Sequence, residues 1–257
     1  MRELAEFSFG RGTKGMKVLK VLIACEESQR VCTEFRKLGH EAYSADIQEP
    51  SGGHPEWHIL GDVLKVLNGG EFRTMDGAEH TVKKWDLIVA HPPCTYLSNA
   101  GARWLYKTID GKVYCERERL EKGLQGREFF MQFYNAKCEH IAIENPIPSA
   151  IYQIPEYTQV IQPYEFGHPY SKKTCLWLRG LPKLYATKVL TEYRPYISSG
   201  TYSKAHNPKY KGESRKGGSS KSRSKTFPGI AQAIAQQWSD YLTGNTDIQL
   251  SFEGCDI

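Results

Sequence analysis

The sequence predicts an α/β fold in which a mostly parallel sheet is flanked by helices and followed by a small basic lobe. Two observations predict the sheet: short apolar, β-branched runs alternate with segments of helical period, and each run stops at polar residues. A third, the concentration of lysine and arginine beyond residue 185, predicts the lobe.

The first strand is Val18-Leu19-Lys20-Val21-Leu22-Ile23-Ala24, and Val31, Phe35 and Leu38 behind it repeat at helical spacing. Gly39-His40 closes that helix, and Glu41 to Asp46 alternates as a second strand ending on a carboxylate. Trp57 to Asp62 is a candidate third strand, and Trp85 to Ala90 a fourth that runs into His91-Pro92-Pro93-Cys94. A helix over Arg117 to Ala136, carrying Leu120, Leu124, Phe129, Phe130 and Phe133, precedes His140-Ile141-Ala142-Ile143, which stops at Glu144-Asn145-Pro146. The stretch from Val160 to Pro182, with Thr174 to Leu178 inside it, is suited to a terminal hairpin. Ile230, Ile234, Trp238 and Tyr241 form the apolar stripe of a closing helix. Three units result: a core over 16–184, a basic lobe or loop over 185–225, and the closing helix over 226–243. No internal repeat is present.

Composition narrows the function classes. No apolar run approaches the roughly 20 residues that span a bilayer, and Met1 to Glu6 has no signal-peptide core. A cytoplasmic chain without a membrane partner is expected. The seven cysteines include no Cys-x-x-Cys pair, so neither a zinc site nor a redox couple is indicated. Ten basic and two acidic residues between Ala186 and Lys225 give that segment +8 of a chain total of +5. Such a segment is either a nucleic-acid contact surface or a solvated loop.

Two strand ends carry the chemistry. Consecutive prolines stiffen the backbone before Cys94 and hold its thiol at the sheet edge, where ligands bind in open α/β sheets. Alone, such a cysteine is as readily a small hydrophobe in a turn. Glu144, at the end of the next strand, brings a carboxyl to the same edge.

Pro92-Pro93-Cys94 and Glu144-Asn145-Pro146 resemble the nucleophile and acid motifs of the DNA cytosine-5 methyltransferases, in that family's order. Tyr164-Glu165-Phe166-Gly167-His168-Pro169-Tyr170-Ser171-Lys172-Lys173-Thr174 is similar to its Phe-Gly-x-Pro-Gln-x-Arg-x-Arg segment. The resemblance spans Val18 to Leu242 and implies a Rossmann-like methyltransferase fold with S-adenosylmethionine as cofactor. Asp46 then resembles the residue that grips the cofactor's ribose, and Gly61-Asp62 the segment at its adenine; Ile47 and Pro92 join the expected cofactor site. Its partner would be double-stranded DNA with the target cytosine flipped out, its setting restriction-modification, and its expected state a monomer.

Two departures stand out. The family's Phe-x-Gly-x-Gly turn is replaced by Ala24-Cys25-Glu26-Glu27-Ser28-Gln29, without glycine, so Glu26 and Ser28 are expected to take up part of the cofactor contact. Lys172 and Lys173 stand where the family has arginines, keeping the charge and losing the bidentate fork.

Carbon 5 of cytosine is too weak a nucleophile to accept a methyl group unaided. The resemblance makes Cys94 the thiolate that adds to carbon 6 and Glu144 the acid at ring nitrogen 3. Lys173 is the expected aid to the thiol, Asn145 orients Pro93 or the base, and Lys172, Lys209, Lys211, Arg215 and Lys216 contact phosphates. That reaction requires neither metal nor redox cofactor. Three alternatives stay open: a methyltransferase acting on an amino group, a non-catalytic nucleic-acid-binding protein with the same fold, and an enzyme that transfers another group or acts on RNA or a free nucleotide. His91 and Cys94 disfavour the first, whose motif is Asp/Asn-Pro-Pro-aromatic.

Replacing Lys209, Lys211, Arg215 and Lys216 together by alanine should weaken duplex binding and flatten its salt dependence, the slope becoming shallower by about 0.9 for each phosphate no longer neutralised. Binding titrations over a range of salt concentrations check this; an unchanged slope makes the segment a solvated loop.

Overall fold

The computed structural model describes residues 17–102, 104–196 and 224–245. Lys209, Lys211, Arg215 and Lys216 lie outside them. The elements in chain order are β1 (Lys20–Ala24), α1 (Arg30–Lys37), β2 (Glu41–Asp46), β3 (His58–Leu60), β4 (Gly70–Arg73), β5 (Glu79–Val82), β6 (Leu87–Ala90), α2 (Asn99–Ala102), β7 (Tyr106–Ile109), β8 (Lys112–Cys115), α3 (Arg117–Tyr134), β9 (Ile141–Pro146), β10 (Gln159–Ile161), β11 (Tyr170–Ser171), β12 (Thr174–Arg179), β13 (Arg194–Pro195) and α4 (Pro228–Thr243).

Seven strands form the central sheet in the order β10-β12-β9-β6-β1-β2-β3. β9, β6, β1, β2 and β3 pair in parallel, whereas β12 runs antiparallel to both β9 and β10. Successive side chains of a strand point to opposite faces, and both faces of this sheet are covered, which is why its central strands are apolar throughout. Leu22 and Ala24 of β1 join Ile88, Ala90, Ile141 and Ile143 in a core with Phe130 and Phe133 of α3. Val21 and Ile23 join Leu87, Val89 and Ala142 in a second core with Val31 and Phe35 of α1 and Ile230, Ile234 and Trp238 of α4. His40 ties the second layer together, accepting from the Leu19 amide at 3.2 Å and contacting Ser239 Oγ at 2.8 Å.

The predicted strands and long helices are present, with differences at their margins. The third strand is shortened to His58–Leu60. Leu124 and Tyr241, read from the sequence as parts of apolar stripes, are 44% and 50% exposed, because each lies at the edge of its helix's buried face. Two antiparallel hairpins, β4-β5 and β7-β8, were not predicted. Every residue of β7 and β8 is exposed, so neither strand has the alternating apolar pattern by which strands are recognised.

Beyond β12 the described chain runs on to Tyr196 and resumes at Ser224. β11 pairs with β13 in parallel, and the rings of Tyr170 and Phe227 both lie within 5.0 Å of Tyr196, centroid to centroid. Gly229 admits no side chain, since a Cβ there would collide with the Phe166 carbonyl; its amide donates to His168 Nε2 at 2.9 Å. Among the described residues no helix is long and apolar enough to cross a membrane.

Trp238 is fully buried and donates its indole N–H to the Pro182 carbonyl at 3.1 Å. Trp238→Ala should therefore cost about 3–5 kcal/mol of stability, read as a lowered urea midpoint.

Candidate active site

The strand order changes direction between β1 and β6, the position in an open α/β sheet where a crevice forms beyond the carboxyl ends. The loops after β1 and β6 flank it, with the end of β9 next in line.

The register of β6 against β9 sets Ala90 beside Ile143. One residue further, His91 Nδ1 lies 3.0 Å from Glu144 Oε2, with the two side chains only 11% and 14% exposed. At the next position Asn145 Nδ2 donates to the Pro92 carbonyl at 2.7 Å. This side chain bridges the two strand ends where Pro92 and Pro93 have no N–H to continue the ladder. Cys94 follows, half-buried, and its carbonyl accepts from the Ser98 amide at 3.0 Å, which starts the turn into α2. Gly101 in α2 packs against the Thr95 carbonyl so closely that a Cβ would collide with it. The nucleophile candidate is thus held by the Asn145 bond before it and by α2 after it.

Burial alone would raise the Glu144 carboxyl, but the hydrogen bond from His91 and the charges of Lys172 and His91 outweigh it and hold the group below the usual carboxylate range. Burial likewise opposes charge on His91, and the hydrogen bond and charge of Glu144, with Glu26 behind, hold it above the ordinary histidine value despite Lys172. Each group thereby favours the charged form of the other.

Sequence reasoning noticed His91 only as a departure from another motif; its partner is 53 residues away, and only the strand register pairs them. Lys172 is half-buried and is the lysine that acts on Glu144 and His91, while Lys173 is exposed and acts on Cys175. The sequence places Lys173 at the chemistry and Lys172 on phosphate; the electrostatic contact with Glu144 and His91 is made by Lys172. Consecutive residues approaching an extended segment face opposite ways, and Lys172 takes the inward one.

The other cysteines near the edge are poorly suited to attack. Burial, with the charge of Glu144, pushes the Cys175 thiol up to about 11. Burial followed by the charges of Asp46 and Asp62 pushes Cys25 higher still.

The loop after β1 makes its turn without glycine by placing Cys25 and Gln29 in the left-handed region, at φ 60° and 55°. That costs roughly 1–2 kcal/mol for each residue, and local bonds offset it. The Glu26 carboxylate accepts from the amides of Val31 at 2.7 Å and Cys32 at 3.2 Å, capping α1 from upstream. The Gln29 side chain donates to the His54 carbonyl at 2.8 Å and accepts from the His54 amide at 3.1 Å. Glu26 is 4% exposed and its oxygens serve these amides, so it shapes the loop from beneath. Ser28, also expected at the cofactor, hydrogen-bonds to Glu26.

Asp46 and Asp62 stand at the ends of β2 and β3, joined by the Gly61 amide donating to the Asp46 carbonyl at 2.9 Å. Ile47 beside them is 79% exposed and Leu60 is 46% exposed. Carboxylates next to uncovered aliphatic side chains suit a ligand with a hydroxylated sugar and an apolar ring. Across the edge, Lys225 bonds Ser51 at 2.7 Å and lies 3.7 Å from Glu27, while Arg30 donates to the Thr226 carbonyl at 2.6 Å.

The architecture is mixed α/β, with a mostly parallel seven-stranded sheet. No protein-family model matches the chain, and no curated protein matches it. Among solved structures the chain is similar to the methyltransferase EhMeth of Entamoeba histolytica, at 15% identity and a TM-score of 0.40, over 68% of this chain and 58% of that one.

Glu26→Ala should remove both helix-capping bonds and lower stability by about 2 kcal/mol, with Glu26→Gln restoring part of it. Urea denaturation of the three proteins checks this.

Proposed function

We propose that this chain is a Rossmann-like, S-adenosylmethionine-dependent methyltransferase acting on carbon 5 of cytosine in duplex DNA. The observation that carries the reading is the pairing of strand ends: Asn145 fastens the backbone before Cys94, and Glu144 stands beside it on the adjacent strand. A thiol and a carboxyl held on one edge, at the turning point of the strand order, are the two groups that activation of a pyrimidine ring requires.

Cys94 adds through sulfur to carbon 6, and the electron pair of the 5,6 double bond is released toward carbon 5 and ring nitrogen 3. Glu144, supported by His91 and Lys172, stabilises the ring at nitrogen 3. S-adenosylmethionine would be held by Asp46, Ile47 and Asp62 with Pro92 at its margin, and would supply the methyl group as an electrophile. Loss of the carbon 5 proton then allows the Cys94-carbon bond to break, which restores the aromatic ring and the free thiolate. Stacking covers the ring face in a duplex, so the cytosine must be flipped out. Tyr193 and Arg194 at the base of the lobe, with the basic residues beyond them, supply stacking and phosphate contacts.

Incubation with duplex DNA and methyl-labelled S-adenosylmethionine, followed by nucleoside analysis, should yield 5-methylcytosine from the wild type and none from Cys94→Ser. DNA containing 5-fluorocytosine, which blocks the final proton loss, should trap a covalent complex through Cys94. Equal product from the two proteins, or trapping through Cys25 or Cys175, would sink the nucleophile assignment.

A further inference from the structure

His91 is only 11% exposed and lies among three ionisable groups, of which burial pushes Glu26 toward its neutral form. Glu144 from β9 contacts Nδ1 at 3.0 Å. Glu26, from the loop after β1, and Lys172, preceding β12, act on the ring electrostatically. Cys175 of β12, paired with Asn145 in the ladder, acts electrostatically with Glu144. Nε2 is buried with no hydrogen-bond partner among the described residues, so the ring's one polar contact there is the Glu144 carboxylate. The His91 amide donates to the Ala24 carbonyl at 2.9 Å, which fixes the backbone beneath the ring.

A carboxylate kept ionised by an adjacent imidazolium has no proton of its own to give. A pyrimidine under attack at carbon 6 nevertheless needs one at nitrogen 3. The geometry points to His91 as the positioning residue that stores the proton Glu144 delivers to ring nitrogen 3, an inference that rests on the cytosine-5 reading above. The Nδ1–H bond breaks as the proton passes to Glu144, and the carboxyl O–H breaks as the N3–H bond forms. Meanwhile the Cys94 thiolate forms its bond to carbon 6. The negative charge of the thiolate and the positive charge of the imidazolium disappear together, leaving a neutral ring adduct, a neutral imidazole and the carboxylate. When the thiolate is expelled, the nitrogen 3 proton returns by the same route. The carbon 5 proton leaves separately to solvent. A low-dielectric edge favours such a charge-cancelling step over one that creates a buried ion.

The protonation state of His91 then sets one limb of the pH profile. Its basicity is raised in the folded protein, so the imidazolium is lost as pH rises through that raised value. Single-turnover methylation by the wild type should fall on this limb. His91→Gln keeps an amide donor for Glu144 but has no transferable proton; its rate should fall about 100-fold with KM for DNA unchanged, and should recover only toward acid, where Glu144 protonates directly. If 5-methylcytosine forms and His91→Gln keeps the wild-type limb and rate, His91 is structural and the inference is overturned while the cytosine-5 reading stands. Absence of 5-methylcytosine from the wild type overturns both. Titration of the His91 ring by NMR gives a readout free of activity and of any folding defect in His91→Gln: in Glu144→Gln its midpoint should move to lower pH, and an unmoved midpoint overturns the coupling.

Discussion

The register of β6 against β9 is the constraint on which the candidate site depends, because everything chemical follows from continuing it past the last ladder bond. Ala90 beside Ile143 leads to His91 beside Glu144, and then to Pro92 beside Asn145. A shift of one residue would turn each side chain to the opposite face and separate every pair. The register is secure because both strands are buried on both faces, so a slip would move Val89 and Ala142 out of one core and Ile88 and Ile143 out of the other. Packing far from the crevice thereby sets distances inside it.

The loop after β1 shows how a turn normally left to glycine is made by other residues. Left-handed Cys25 and Gln29 raise the local energy, and side-chain bonds join backbone bonds such as that from the Cys25 amide to the Ala45 carbonyl in offsetting it. Glu26 caps α1, and Gln29 joins the loop to His54. The two helix-capping oxygens lie beneath the loop and shape the surface that a ligand would meet without forming it.

Much of the fold was legible in the sequence because buried parallel strands leave apolar runs such as Leu22-Ile23-Ala24 and Leu87-Ile88-Val89, and because Gly39 closes a helix. The hairpin over Tyr106 to Cys115 was not, since it is exposed on both faces and so carries no pattern. In the site, Cys94 and Glu144 were legible as strand-end residues. The pairing of Glu144 with His91 was not, because a contact between residues 53 apart depends on a register that no local rule specifies. Which of Lys172 and Lys173 faces inward was not legible for a related reason: it is a parity set by tertiary pairing.

The aromatic cluster at the base of the lobe has a consequence for how this architecture can vary. Tyr196, the last described residue before 197–223, packs against Phe227, three residues after the described chain resumes at Ser224, and Tyr170 packs against both. With the ends clamped, the entropic cost of a longer connection grows only with the logarithm of its length, about 0.6 kcal/mol for each doubling. A change in the length of chain between residues 196 and 224 therefore leaves undisturbed the register that aligns His91 with Glu144.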